Sequence, residues 1–333
     1  MAIFSRSDSI GKHFCRRWFG FLSLVVALMS FVGVADVSAE TTFDPTGIVD
    51  CRFDAGQGAG TLWDGDFEHN AFPRDDVFRP LLAAPLEPRF STSWGWSEYF
   101  PALGENQTFD GFIYGYAGLG GDAGIWGWRD PETCNGLQLN IFGGGFSQFA
   151  INPLHLVNTD YQGGISATIR RGQLSGRLRI YHQSSHLGDD FLDANATFSA
   201  RTLSFEVVDA VGSVTTSWIR LYVGGGVKVR VEPAETGRSM VRAGLEFRPN
   251  HWRFNAPIPS MGMTPIAGVD VVSHQSRDWK LASNTTAGVE LVGPTRERRF
   301  RLLVALLHGF SPFGVFFDEN RTTSTGLEAQ FVY

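Results

Sequence analysis

The chain has 333 residues, a formal net charge of −6, 39 glycines, 28 phenylalanines and 9 tryptophans. No run of Lys and Arg is long enough to point to nucleic acid, and no C-x-x-C pair supplies a metal site. Glycine and aromatics in this quantity suit strands that alternate between lipid and water.

The chain opens with a positive stretch, Lys12, Arg16 and Arg17, followed by a nearly unbroken apolar run from Trp18 to Val34 and the small residues Val37-Ser38-Ala39. That order predicts a secretory signal peptide over residues 1–39, cleaved before Glu40, rather than a membrane anchor. No later stretch of about 20 apolar residues follows, so no spanning helix is expected beyond it. Cys15 belongs to the signal. Cys51 and Cys134 remain, and an oxidising periplasm permits a disulfide between them.

Residues 40–88 are rich in Pro and Asp and alternate weakly. They are expected to form a periplasmic N-terminal segment or a plug. From residue 89 to 333 the pattern changes to segments of about ten residues that alternate apolar and polar, the signature of a barrel strand in a membrane. Twelve strands are expected: 89–98, 107–119, 137–151, 161–170, 174–186, 201–209, 217–231, 239–249, 264–274, 280–292, 298–310 and 323–333. In 217–231, Ile219, Leu221, Val223, Val227, Val229 and Val231 share one face, while Arg220, Tyr222, Lys228 and Arg230 share the other. Charges of both signs line such polar faces, as a watery lumen demands and a soluble sandwich does not.

The fold class is therefore all-β, a transmembrane antiparallel β-barrel. An even strand count puts both ends on the periplasmic side, with short turns at Arg171-Gly172-Gln173 and Gly293-Pro294-Thr295-Arg296. The link 250–263 is too long for that scheme and strains the register there. Gly143-Gly144-Gly145 lacks the helix and Lys of a phosphate loop and reads as strand glycine. Leu327, Ala329, Phe331 and Tyr333 alternate to the end of the chain. This strand resembles the C-terminal sorting strand of outer-membrane proteins, which implies the barrel-assembly machinery as a partner through Tyr333, with location in the bacterial outer membrane and its lipids as surroundings.

One segment could carry chemistry: Tyr181-His182-Gln183-Ser184-Ser185-His186-Leu187-Gly188-Asp189-Asp190. Leu174, Leu178 and Ile180 lie on the apolar face, and the two-residue period puts His182 and Ser184 on that face too. Arg177, Arg179, Tyr181 and Gln183 then face the lumen. A serine hydroxyl becomes a nucleophile when a neighbouring imidazole takes its proton, and a third group must orient the imidazole. Asp189, Asp190 and nearby carbonyls are the type of oxygen cluster that calcium prefers.

The mature chain resembles the domain-of-unknown-function 1207 family, in which H-x-S-S-H-L-G-D-[DE] recurs and the chain ends in a barrel strand; that resemblance implies the architecture and no activity. His182-Gln183-Ser184 is similar to the H-x-S segment of outer-membrane phospholipase A and of the outer-membrane lipid A deacylase, small barrels with a lipid-facing His and Ser. The similarity implies Ser184 as nucleophile and His182 as base. The position that their spacing implies for the third member is Ala196 here, so Asn195 beside it, or Asp193, is the candidate orienter.

Three functions follow from these readings. The first is an integral outer-membrane barrel with a structural or surface-binding role. The second is a lipid acyl hydrolase using His182, Ser184 and Asn195. The third is a narrow channel or transporter along the Arg-bearing lumen. No organic cofactor is expected.

Overall fold

The structure, a computed structural model, describes residues 67–74, 76–98, 112–130, 133–151, 154–194, 203–232, 237–249, 254–256, 261–293, 298–315 and 321–332. The proposed signal peptide, Cys51, Asn195 and Tyr333 lie outside them. Among the described residues no helix is long and apolar enough to cross a membrane. Twelve long strands follow one another in chain order: β1 Phe90–Ser97, β2 Phe112–Arg129, β3 Gly136–Ile151, β4 Leu154–Arg171, β5 Leu174–Leu187 and β6 Leu203–Thr215. The second half comprises β7 Ile219–Glu232, β8 Ser239–Phe247, β9 Gly262–His274, β10 Leu281–Val292, β11 Arg299–Gly309 and β12 Thr322–Val332.

Every strand pairs antiparallel with its sequence neighbours, and β12 returns to β1 with Phe331 opposite Phe90 and Ser324 opposite Ser97. The sheet is thus a closed barrel. Closure leaves no long strand with an unpaired edge, the condition for strands that cross lipid. The rim at which β1 begins is here the near rim, and the opposite one the far rim. A four-residue strand, Glu68–Ala71, pairs with the near-rim end of β2, Glu68 opposite Arg129.

The sequence pattern maps onto this barrel with its polarity inverted relative to a soluble protein. Leu119, Val223 and Leu327 point outward at 63%, 67% and 68% exposure, while Arg220, Glu290 and Gln330 point inward at 1%, 0% and 0%. An apolar exterior around a charged interior is stable only when lipid surrounds the barrel.

Sequence and structure differ in instructive places. β2 runs to Arg129 and β4 starts at Leu154, both longer than the alternation suggests, and register shifts at Gly124/Trp126 and at Gln148/Phe149 interrupt the two-residue period there. A bulge in β7 leaves Val229 without an opposite residue, since Glu206 faces Arg230 and Val207 faces Lys228. The extra residue reverses the faces beyond it, so Val231 is buried inside and Arg230 points out. The long link before β9 holds no register error; Phe254–Asn255 within it folds back onto Met263 and Gly262.

Residues 76–89 lie inside the barrel. Most of their apolar side chains are buried: Phe78, Leu81 and Ala84 pack with Val211 and Tyr222, and Leu82 with Ile266 and Leu303. The segment has no regular secondary structure, so each of its backbone polar groups needs a partner from the wall. Glu246 of β8 accepts from the Leu82 N–H at 2.8 Å and the Arg79 guanidinium at 2.9 Å. Arg220 of β7 donates to the Arg79 carbonyl at 2.8 Å, and Asn284 of β10 to the Ala83 carbonyl at 2.7 Å. The Tyr116 hydroxyl of β2 donates to the Pro85 carbonyl at 3.0 Å. In the other direction, Glu87 accepts from Arg177 of β5 at 3.0 Å, and Asp76 accepts from Asn140 of β3 at 3.2 Å and Thr168 of β4 at 2.5 Å. Glycine gives the segment room. A Cβ on Gly120 would lie 3.3 Å from the Pro88 Cα, and one on Gly268 would lie 3.2 Å from Leu82 Cδ2.

The Glu246→Ala substitution strands two buried guanidinium groups, Arg79 and Arg220. Removing one partner of a buried ion pair costs about 3–5 kcal/mol. The expected outcome is a clear fall in the temperature at which the unboiled protein converts to its denatured mobility on a detergent gel. An unchanged conversion temperature would contradict the docking described here.

Candidate functional site

β5 carries the polar segment to the far rim. Its inward residues, Arg179, Tyr181, Gln183 and Ser185, are buried, and Leu178, Ile180, His182 and His186 are exposed on the outside, with Ser184 partly exposed. His182 stands opposite Gly163 of β4 and Glu206 of β6. Beside Gly163 a side chain would meet nothing within 4 Å, so the outer surface next to the imidazole is open. The His182 Nδ1 lies 3.4 Å from Glu206 Oε1. Ser184 stands between Tyr161 of β4 and Ser204 of β6. Two residues along a strand separate its Cα from that of His182 by about 6.6 Å; among the described residues no hydrogen bond joins the two side chains.

The outer wall around them is unusually polar for a lipid-facing surface. Arg230, turned outward by the β7 bulge, is opposite Glu206 and donates to Glu232 at 2.7 Å. His186 packs against the Tyr161 ring, centroids 6.1 Å apart.

The carboxylate beside His182 is therefore Glu206, a residue that sequence reasoning did not select. Asp193 is exposed on the short helix α1, Asp189–Ala194, beyond the far rim. Glu206 lies 24 residues along the chain from His182. Only the register between β5 and β6 brings the two together, and that register depends on the intervening link. The phase of β6 gave no signal of this, because its apolar residues Leu203, Phe205 and Val207 point inward and Glu206 outward, against the rule of an apolar exterior.

The rest of the segment serves the fold. Ser185 is completely buried. Its hydroxyl meets the Asp160 carboxylate and, at 3.0 Å, Asn158 Oδ1, and it accepts from the Val315 N–H at 3.0 Å. Asp160 also accepts from the Gly314 N–H at 2.8 Å. These bonds fasten the loop after β11 to β4 and β5. A Cβ on Gly188 would lie 2.0 Å from the Leu156 carbonyl oxygen, so only glycine fits there. Asp189 and Asp190 occupy the first turn of α1, where carboxylates complement the exposed N–H groups of a helix, and both are exposed. Among the described residues no three His, Cys, Asp or Glu side chains converge as a metal ion would require. Cys134 is disulfide-bonded.

A closed antiparallel barrel with an apolar exterior and a charged interior defines a membrane-spanning barrel protein. The chain belongs to the family described as protein of unknown function DUF1207, which matches residues 62–333. No curated protein matches it. Among solved structures it is similar to outer membrane phospholipase A from Escherichia coli, at 10% identity and a TM-score of 0.45, over 86% of this chain and 98% of that one. It is also similar to the beta domain of a Bordetella autotransporter, at 11% identity and a TM-score of 0.37, over 74% of this chain and 99% of that one. The transport unit of the autotransporter AIDA-I from Escherichia coli aligns at 12% identity and a TM-score of 0.40, over 73% of this chain and 89% of that one.

Proposed function

We propose that the protein is an integral outer-membrane barrel whose lumen is closed by its own residues 76–89 and whose work is surface binding at the far rim. One observation carries this reading: the ion pairs and backbone bonds of the inner segment reach β2, β3, β4, β5, β7, β8 and β10. A segment bonded around the wall in this way leaves no continuous water path for a solute. Three of the four longest links, 98–111, 188–202 and 310–321, join strands at the far rim, against one, 248–261, at the near rim, the bias of an outer-membrane barrel whose longer loops face outward. In this reading the last strand, with Leu327 and Phe331 turned outward, is what the barrel-assembly machinery meets. Purified wild-type protein inserted into planar bilayers is expected to give no single-channel steps. Steady conductance from the wild type would overturn the closed-lumen reading in favour of transport.

A second reading, lipid acyl hydrolysis, is favoured by the His182–Glu206 contact on the outer wall. With Nδ1–H donating to Glu206, His182 Nε2 is left to accept the Ser184 proton as Oγ attacks an ester carbonyl of a lipid. The imidazolium then protonates the departing alcohol, and water releases the fatty acid from the acyl-serine by the reverse proton path. Positioned acid–base groups of this kind contribute about 100-fold or more. In mixed phospholipid–detergent micelles this reading expects fatty-acid release by the wild type, none above background by Ser184→Ala, and a loss of about 100-fold in Glu206→Gln. Equal release by wild type and Ser184→Ala, or none by either, eliminates it.

A further inference from the structure

Above the inner segment, between its Pro85–Leu86 turn and the far rim, the lumen widens into a cavity of about 120 Å³. The two sides of this cavity differ in chemistry. One side is apolar, which is unusual for the inside of a membrane barrel: Leu203, Phe205 and Val207 are consecutive inward residues of β6, joined by Tyr181 of β5. The other side is cationic. Arg238, Arg242, Arg277 and Lys280 line it from β8 and from the links before β8 and after β9, with Lys228 of β7 at the seam between the two sides. Asp270 is the single carboxylate among the described lining residues, and Arg242 already engages it at 3.2 Å.

Two charges at the mouth, Arg238 and Lys280, are not balanced by acids among the described residues. Arg179, deeper in the cavity, is neutralised by Asp209 at 2.7 Å. Arg238 donates to the Val229 carbonyl at 3.1 Å, and neither it nor Lys280 faces a carboxylate among the described residues. Lys228 and Arg277 lie over the faces of Phe205 and Phe310, at 4.6 Å and 4.1 Å from the ring centroids. Those contacts hold the two cations in the wall. A pocket with one apolar wall and convergent cations selects a ligand with an apolar body and an anionic head. Its position also gives access from the far rim alone, because the inner segment forms the floor.

We propose that this cavity is a binding site for a small amphiphilic organic anion, whose head meets Arg238 and Lys280 while its apolar body lies against Leu203, Phe205 and Val207. The proposal rests on the surface-binding reading and names the class of ligand that such a barrel would take. A cavity of about 120 Å³ suits a short chain or a single ring.

The test is calorimetric titration of the full chain, refolded in non-ionic detergent, with hexanoate, hexanol and inorganic phosphate in separate experiments. Saturable binding of hexanoate is expected, with phosphate at least tenfold weaker and hexanol without a saturable phase. The double variant Arg238→Gln/Lys280→Gln is expected to weaken hexanoate at least tenfold while retaining the wild-type gel shift on heating, since both side chains lie at the mouth and not in the packed interior. Hexanoate binding unchanged in that variant, absent from the wild type, or matched by phosphate would overturn the proposal. Conductance by the wild type would instead overturn the closed lumen, so the two failures are distinguishable.

Discussion

The structure depends on the pairing of inward-facing charge with an irregular chain that cannot satisfy itself. A guanidinium or carboxylate at membrane depth is costly unless it is paired and hydrogen-bonded, and so is each free N–H or C=O of a segment without secondary structure. Residues 76–89 and the barrel wall solve both problems together. Glu246 accepts the Leu82 N–H and pairs with Arg79, and Arg220 donates to the Arg79 carbonyl. On another side of the lumen, Glu87 reaches out of the segment to Arg177. Neither the wall nor the segment is electrostatically complete alone.

This arrangement divides the molecule by depth. In the near-rim half the wall spends its charges on itself, as where Glu290 of β10 gathers Arg299 and Arg301 of β11 and Arg248 after β8. In the middle the inner segment fills the space. Beyond it the lumen opens toward the far rim, lined by cations and a strip of apolar side chains. The same rim carries His182, Ser184 and Glu206 on its outer surface. Both candidate sites are thus at one end of the barrel, where the chain is not occupied with holding itself together.

Much of this was legible because a strand between lipid and lumen must alternate strictly. The twelve segments, the closing strand with Leu327 and Phe331, and the inward direction of Arg179 all follow from that two-residue period. The period fails where its premise fails. One extra residue at Val229 sends Arg230 out and Val231 in, and no local feature of the sequence marks it. The path of residues 76–89 was not legible, because an irregular segment has no period and its partners are spread over strands far along the chain. Glu206 was missed for the related reason that cross-strand neighbours are set by register. Ser185 shows the opposite hazard: one residue from a candidate nucleophile, it points into the lumen and fastens a loop.

The most direct measurement is a disulfide trap between the inner segment and the wall. A Cβ placed on Gly268 of β9 would stand 3.5 Å from the Ala83 Cβ, at the lower edge of the range that a disulfide spans. The double variant Ala83→Cys/Gly268→Cys, oxidised in the folded state and then denatured, is expected to migrate as a cross-linked chain that reverts on reduction. If the cross-link does not form although the barrel folds, residues 76–89 do not occupy the lumen, and the closed interior is wrong.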